Sequence, residues 1–374
     1  MVRIVGLVSF RIYPTHMGGQ KGVALFYQHL QNYAKVILAG SNDNVPTEKA
    51  DMQRILFPNK KMYRNVSRLK DLEQVVNEKS IELIIAEHSY TGWMAWMLQK
   101  RTGRPFIIHS HNIESRRFKK MNKWWWKLYH QYEGWIHRRA IHNFFISEED
   151  RQLAIKEFRL EKEKCSVVTY GIENIEFHSD KSSLRKKLGL QKYQTILLFN
   201  GTLDYEPNYD AVITLINDIE PLLRIKLQDF LIVITGNRAP KVLAEKMLAA
   251  PNILYTGYVD DVNLYYQAAD LFINPVANDT GVKTKLIEAI ANNCTTVSTR
   301  AGASGIPKEL CGDKLVIADS NDWNKFADMI LEEVKIKRPD TPAAFYDYYN
   351  WDHITSEVAA IIKKLVGKKG GQVS

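Results

Sequence analysis

The chain has 374 residues, 51 Lys plus Arg against 42 Asp plus Glu, a formal charge of +9 and 45% hydrophobic content. These values exclude intrinsic disorder and a small stapled module, and the length predicts two domains, each able to bury its own core. The charge is uneven: residues 1–180 hold 28 basic and 19 acidic side chains, the remainder 23 of each, which predicts an anionic partner for the N-terminal half. Cys165, Cys294 and Cys311 lack C-x-x-C spacing, so neither a disulfide framework nor a zinc knuckle is expected, and a reducing compartment is. The opening MVRIVGLVSFRIYP reads as a first strand rather than a signal peptide. No run of about 18 apolar residues occurs, so any membrane contact is expected to be peripheral.

Along the chain, β-branched runs alternate with amphipathic stretches, the pattern of βα units and parallel sheets. The first predicted series of strands is 2–8, 35–39, 82–86, 105–110, 143–147 and 166–169; the second is 195–200, 230–235, 252–256, 271–275, 295–299 and 314–318. Two doubly wound domains are expected: residues 1–172, a polar linker over 173–192, and residues 193–345. Residues 346–374 add a last helix, expected to pack back across the domains, and a loose GKKGGQVS tail. Ligands of open parallel sheets sit beyond the strands' C-terminal ends. Two facing sheets would hold a substrate in the cleft between them, so the residues that follow the strands are the candidates.

After the first strand, Gly18 and Gly19 precede a helix predicted from about Val23. Paired glycines there let backbone N–H groups approach an anion or a sugar. The loop is not G-x-G-x-x-G and is too long for a dinucleotide turn; an ordinary tight turn is the competing reading. The fourth strand ends in His109-Ser110-His111, whose two rings share a face. A metal pair is conceivable, but no third ligand lies nearby in sequence; a structural histidine and a hydrogen-bonding one at the strand end are the alternatives.

Residues 115–142 are basic and Trp-rich. Phe118, Met121, Trp125, Leu128, Tyr132 and Trp135 recur at helical spacing and predict a core-facing stripe. Trp124 and Trp126 lie about 100° to either side of Trp125, outside that stripe. With Lys119, Lys120, Lys123 and Lys127 around them, they predict an interfacial contact with acidic lipid; a wide buried face or a protein partner is the alternative. No nucleic-acid motif accompanies the charge, so nucleic acid is not expected.

In the second half, Gly257 closes a strand and Tyr258 follows it, a place for a planar base or a commonplace turn. The densest constellation runs from Asn274 to Ala289. A strand stops at Pro275, a polar loop follows, and a helix is predicted from Gly281 or Val282. Lys283 and Lys285 in its first turn oppose the helix dipole unless an anion binds there. Lys285 and Glu288 share a face, offering a cation for a phosphate and a carboxylate for a ribose diol; a surface ion pair is the plain alternative.

In order, Gly18-Gly19, His111-Asn112, Tyr170-Gly171-Ile172, Gly201 with Pro207-Asn208, Gly257-Tyr258, Gly281 through Ala289 and Tyr349-Asn350-Trp351 resemble the retaining glycosyltransferases of family 4, over nearly the whole chain. The resemblance implies the GT-B fold: two facing Rossmann-like, doubly wound parallel-sheet domains with a cleft between them. It puts Glu288 at the second glutamate of the E-x7-E motif, on the nucleotide ribose, and Thr280 where the first stands. Asp279, or the backbone of Gly281 and Val282, would then hold the donor sugar. The family's Arg and Lys after the first strand of the second domain are absent from Gly201 to Asn208, which leaves phosphate charge to Lys283 or Lys285. His111 is expected to position the donor sugar. The implied reaction is transfer from a UDP- or GDP-type nucleotide sugar to a glycan or lipid-linked acceptor with retention. It needs no metal, in keeping with the lack of a D-x-D triplet. The variant is similar to bacterial exopolysaccharide transferases, cytoplasmic and peripheral on the inner face of the membrane. A catalytically silent nucleotide- or glycan-binding protein and a sugar-nucleotide epimerase stay open as alternatives.

Overall fold

The computed structural model describes residues 1–15, 18–178, 180–277, 281–318 and 322–367. The chain divides into two compact units, residues 1–171 together with 348 onward, and residues 172–347.

The first unit carries a seven-stranded parallel sheet: β1 (Arg3–Val8), β2 (Lys35–Ser41), β3 (Met52–Leu56), β4 (Leu83–Glu87), β5 (Phe106–Ser110), β6 (His142–Phe145) and β7 (Cys165–Val167), in the order β3-β2-β1-β4-β5-β6-β7. β3 is the strand that the sequence reading lacks. It is an edge strand, MQRIL, with Leu56 alone fully buried and a register shift against β2, so it shows neither alternation nor an apolar run. The inner strands read as near-continuous apolar runs because both faces are covered. Val5, Leu7, Ile84, Ala86, Phe106 and Ile108 form one core with Met94, Ala95 and Leu98 of the helix Ser89–Thr102.

The last helix, Trp351–Gly367, packs on the helix Gly18–Leu30 of this same unit. Trp351 is buried, and its ring lies where a Cβ on Gly171 would come within 2.4 Å; only glycine fits there. His29 stacks on Trp351, and its Nδ1 lies 3.0 Å from Asp352 Oδ1.

The second unit has six parallel strands: β8 (Thr195–Asn200), β9 (Phe230–Thr235), β10 (Ile253–Gly257), β11 (Leu271–Asn274), β12 (Thr295–Thr299) and β13 (Leu315–Ala318), in the order β10-β9-β8-β11-β12-β13. Its core joins Leu197, Phe199, Ile232, Ile234 and Ile273 to Val212, Leu215 and Leu223. Residues 173–192, expected as a linker, are part of this unit. Asp180 caps the helix Lys181–Lys187 through the Ser182 and Ser183 N–H groups, and Arg185 and Lys181 both reach Asp270 at the start of β11, at 2.5 and 2.7 Å. Capping and ion pairs order a stretch whose polarity alone suggests a linker. In both sheets the winding reverses beside the first strand, between β1 and β4 and between β8 and β11, which marks the places where such sheets bind ligands.

Candidate active site

At the second sheet's switch point, the helix Thr284–Ala291 starts just after Lys283, two or three residues later than the sequence reading places it. The two lysines part company. Lys283 folds back to donate to the Gly281 carbonyl at 2.9 Å. Lys285 is buried, and its Nζ reaches the end of β8: it donates to Asn200 O at 3.2 Å and Asn208 Oδ1 at 2.9 Å, and sits 3.9 Å above the Phe199 ring. The Asn208 amide is oriented by its own donation to Thr202 O at 3.0 Å, and a Cβ on Gly201 would fall 2.5 Å from it. Among the described residues no carboxylate pairs with Lys285. Burial, and secondarily the charge of Lys283, hold its ammonium well below the usual lysine range.

Acceptors at the strand ends of the same sheet are also unfilled. Asn200 at the end of β8, Asn237 just after β9 and Asn274 at the end of β11 each bury an Oδ1 with no hydrogen-bond partner, at a cost that proteins seldom tolerate without a ligand or water. Gly236 brings the ends of β8 and β9 into direct backbone contact; a Cβ on it would lie 1.8 Å from Gly201 O. Glu288, one turn beyond Lys285, lies beside Tyr266, whose phenol burial and this carboxylate together push up. Gly257 ends β10 with φ +74° and accepts from the Gly236 N–H at 2.8 Å, and Tyr258 beyond it is 62% exposed. Gly281 turns with φ +66°, and Val282 is half-buried. Asp279 and Thr280 lie outside the described residues.

At the first sheet's switch point the chemistry is reversed: the buried groups are carboxylates, and the central one, Glu87, is partnered. Glu87, the last residue of β4, accepts from Tyr27 Oη at 2.6 Å, and its two oxygens lie 3.2 Å from His109 Nδ1 and 2.6 Å from His111 Nε2. Burial opposes its charge, but the two rings prevail and hold the carboxyl below the ordinary range. Burial, with His109 adding to it, lowers the His111 pKa in turn. The arrangement is a neutral His111 that donates Nε2–H to ionised Glu87 and keeps Nδ1 as an acceptor.

Glu87 is thus the third group beside His109 and His111, supplied by the neighbouring strand, and the three offer ligand atoms within 4.8 Å of one another. The 2.6 Å contact is a hydrogen bond; two atoms on one tetrahedral zinc at about 2.0–2.1 Å would lie roughly 3.3 Å apart.

Next in the chain, His88 holds φ +64°, ψ 157°, a strained backbone for a side chain with a Cβ. Its ring stacks on Tyr90, and its Nδ1 lies 3.3 Å from a Glu114 carboxylate oxygen. Glu133 accepts from Ser89 Oγ and from the Glu114 and Ser115 N–H groups at 2.9–3.0 Å. It thereby caps the helix Glu114–Lys120, which has no capping side chain of its own. Gly18 and Gly19 are the first two residues of their helix, five residues ahead of the predicted start; the first turn's N–H groups have no intrahelical partner, so glycine costs little there. A Cβ on Gly19 would meet nothing within 4 Å.

The basic segment is two helices rather than one. Glu114–Lys120 ends, Asn122 turns with φ +51°, and Trp126–His137 begins. This break takes Met121 and Leu128 out of the predicted core stripe: they are 50% and 63% exposed, and Trp124 is 84% exposed. Trp125 is half-buried between Phe118 and Tyr129, and Trp126 is half-buried under Lys119. Glu87, His88, Glu114 and Glu133 are absent from the sequence reading, although a charged Glu-His pair closing the apolar run of β4 is a visible signal.

Two family models match, one in each half: Glycosyltransferase Family 4 over residues 21–174 and Glycosyl transferases group 1 over residues 194–335. An uncharacterized 44.6 kDa protein in the cps region of Klebsiella pneumoniae is 30% identical over 146 residues, 37% of each chain. The alpha-monoglucosyldiacylglycerol synthase of Streptococcus pneumoniae is 27% identical over 201 residues, 50% of this chain and 43% of that one. The matches therefore span less than half the length of these relatives. HepE of Anabaena, solved with UDP and glucose, superposes with a TM-score of 0.71 at 15% identity, covering 97% of this chain and 100% of that one. With both sheets wound as described and a glycosyltransferase family model matching each half, the chain has the GT-B fold of glycosyltransferases.

Proposed function

We propose that the protein transfers a sugar from a nucleoside-diphosphate sugar to a glycan or lipid-linked acceptor, with retention at the anomeric carbon and without a metal, in polysaccharide or glycoconjugate assembly. The observation that carries this reading is Lys285: a cation buried at the β8/β11 switch point, beside a helix N-terminus, and hydrogen-bonded, among the described residues, only to neutral oxygens. A donor diphosphate supplies the missing anion. As the leaving diphosphate gains charge, Lys285 and the first N–H groups of the Thr284 helix stabilise it, an effect that is strongest where water is excluded. Glu288, on the same face one turn on, accepts from the ribose diol, and Gly257 with Tyr258 lies against the base. By their positions in the sequence, Gly281 and Val282, with Asp279 or Thr280, are assigned to the donor sugar. His111 Nδ1 accepts from a sugar hydroxyl while Glu87 fixes the ring; Gly18 and Gly19 leave the backbone open at the start of their own helix. The acceptor attacks from the face the diphosphate leaves, and a phosphate oxygen takes its proton.

HepE, solved with UDP and glucose, supports a UDP-type donor. The lipid product in the name of the Streptococcus pneumoniae relative and the cps-region relative support an acceptor on a lipid or a surface glycan. No helix among the described residues is long and apolar enough to cross a membrane. We therefore place the enzyme on the inner face of the cytoplasmic membrane, held to anionic lipid through Lys119, Lys120, Lys123, Trp124, Trp126 and Lys127. Incubation with UDP- and GDP-sugars and lipid or glycan acceptors tests the reaction. Acceptor-dependent release of UDP or GDP with the product in the donor's anomeric configuration supports it. Binding without release identifies a silent protein, and a changed sugar nucleotide without acceptor an epimerase.

A further inference from the structure

Between the helices Glu114–Lys120 and Trp126–His137 lies a cavity of about 520 Å³, lined by Arg116, Lys119, Trp126, Lys127, His130 and, from the helix Glu148–Phe158, Glu157. Three permanent cations face one carboxylate, and that carboxylate is engaged: Glu157 lies 3.4 Å from Arg116 and 4.0 Å from His130. His130 Nδ1 is also 3.1 Å from Ser115 Oγ. Lys119 and Lys127 have no acidic partner among the described residues. Both ammonium groups are instead held to one indole, 4.9 and 5.9 Å from the Trp126 ring centre. Two like charges at one ring repel each other, and an anion in the cavity turns that repulsion into a shared attraction. The same two helices and their joining loop expose Met121, Trp124 and Leu128, with Lys120 and Lys123 in that stretch of chain. Exposed indole and thioether groups flanked by lysines suit the boundary between lipid headgroups and acyl chains.

We propose that this cavity holds the phosphate of one anionic membrane lipid, with Lys119 and Lys127 on the phosphate oxygens and Trp126 against the headgroup, while Met121, Trp124 and Leu128 enter the acyl boundary. The proposal rests on the membrane reading above and adds to it a defined site, since attraction to an anionic surface by itself needs no cavity. It thereby sets the orientation of the first unit on the membrane, with Ser115 of the cavity lining only four residues beyond His111 in the chain.

Flotation of the full chain with phosphatidylcholine vesicles, with and without phosphatidylglycerol, tests it. Two charge-matched double variants are compared, Lys119→Gln with Lys127→Gln inside the cavity and Lys120→Gln with Lys123→Gln outside it. All four lysines are exposed, and unchanged circular dichroism and melting verify folding. The cavity pair is expected to weaken binding to the anionic vesicles about tenfold more than the outer pair, because charge-assisted hydrogen bonds to phosphate add to the diffuse attraction. Equal weakening by both pairs, with the wild type still preferring anionic vesicles, overturns the cavity and leaves the membrane reading standing. A wild type indifferent to phosphatidylglycerol overturns both. Binding of soluble glycerol phosphate, lost in the cavity pair, with no vesicle binding, overturns the lipid as the source of the phosphate.

Discussion

The two switch points of this molecule solve the problem of buried charge in opposite ways. Beside β4, Glu87 is met by the Tyr27 hydroxyl and by two imidazoles of the same unit. Beside β8, Lys285 meets only neutral oxygens and a phenyl face among the described residues, and asparagine carbonyls at the ends of β8 and β11 lack donors. A charge that is complete within the fold stabilises and positions; a charge left incomplete is a demand on a ligand. The first region therefore reads as a preset scaffold for His111, and the second as the place where an anion enters.

The largest effect that follows is at Lys285. Lys285→Met is expected to lower kcat/KM for the donor by about 100- to 1000-fold, the scale seen when one donor to a developing anion is removed. Its melting temperature should hold or rise, because an unpaired buried cation costs stability that an apolar isostere does not. A parallel loss of stability would place Lys285 in the scaffold class with Glu87.

Glu87→Gln should behave in the reverse sense. It removes the anion that Tyr27, His109 and His111 share, and urea titration should show a loss of about 3 kcal/mol. Activity falls with it, because His111 loses its tautomer and its orientation. A variant as stable as wild type would contradict the partnered-carboxylate account.

The pH dependence of stability sharpens the same contrast. Burial pushes His137 and His142 down to about 4, each bonded to a neutral partner, Asn143 or Ser166. Burial pushes the Glu133 carboxyl up to about 7, with Glu114 adding to it, although three hydrogen-bond donors oppose the rise. Between about pH 4.5 and 6.5, the unfolded chain binds two more protons at the imidazoles and one fewer at Glu133. Stability should rise with pH by about 1.4 kcal/mol per unit across that window. The lowered His88 and His111 steepen the rise. Glu133 contributes its stability below pH 4.5 and loses it as pH climbs through 7, so Glu133→Gln should remove that loss and add to the slope. A flat urea midpoint from pH 4.5 to 6.5 would refute the assignment.

The smallest effect concerns metal. Activity after EDTA treatment should stay within about twofold if, as proposed, Lys285 and a helix N-terminus meet the phosphate charge. Loss that Mn²⁺ or Mg²⁺ restores would shift that role to an ion.

The sequence makes Lys285 and Glu288 visible because their relation is local: one helix, one face, a dipole that disfavours lysine. All twelve strands expected from apolar runs are present, since runs buried on both faces carry their own signal. Glu87 escapes such a reading because its partners His109 and His111 lie 22 and 24 residues away on the next strand and beyond it. Asn200 and Asn274 are unremarkable until β8 and β11 are seen to be neighbours. The Trp segment misleads for a different reason: helical periodicity continues across residues 118–135, but Asn122 in a left-handed conformation breaks the helix and turns Met121 and Leu128 outward.

The central claim, that Lys285 waits for a diphosphate, is tested most directly by calorimetry of UDP and GDP binding at about pH 8.5 in buffers of different ionisation enthalpy. Burial lowers the Lys285 pKa and a bound diphosphate raises it again, so binding is accompanied by proton uptake. That uptake should vanish in Lys285→Met, together with most of the affinity. Binding of equal strength in wild type and Lys285→Met, with no uptake in either, would contradict it.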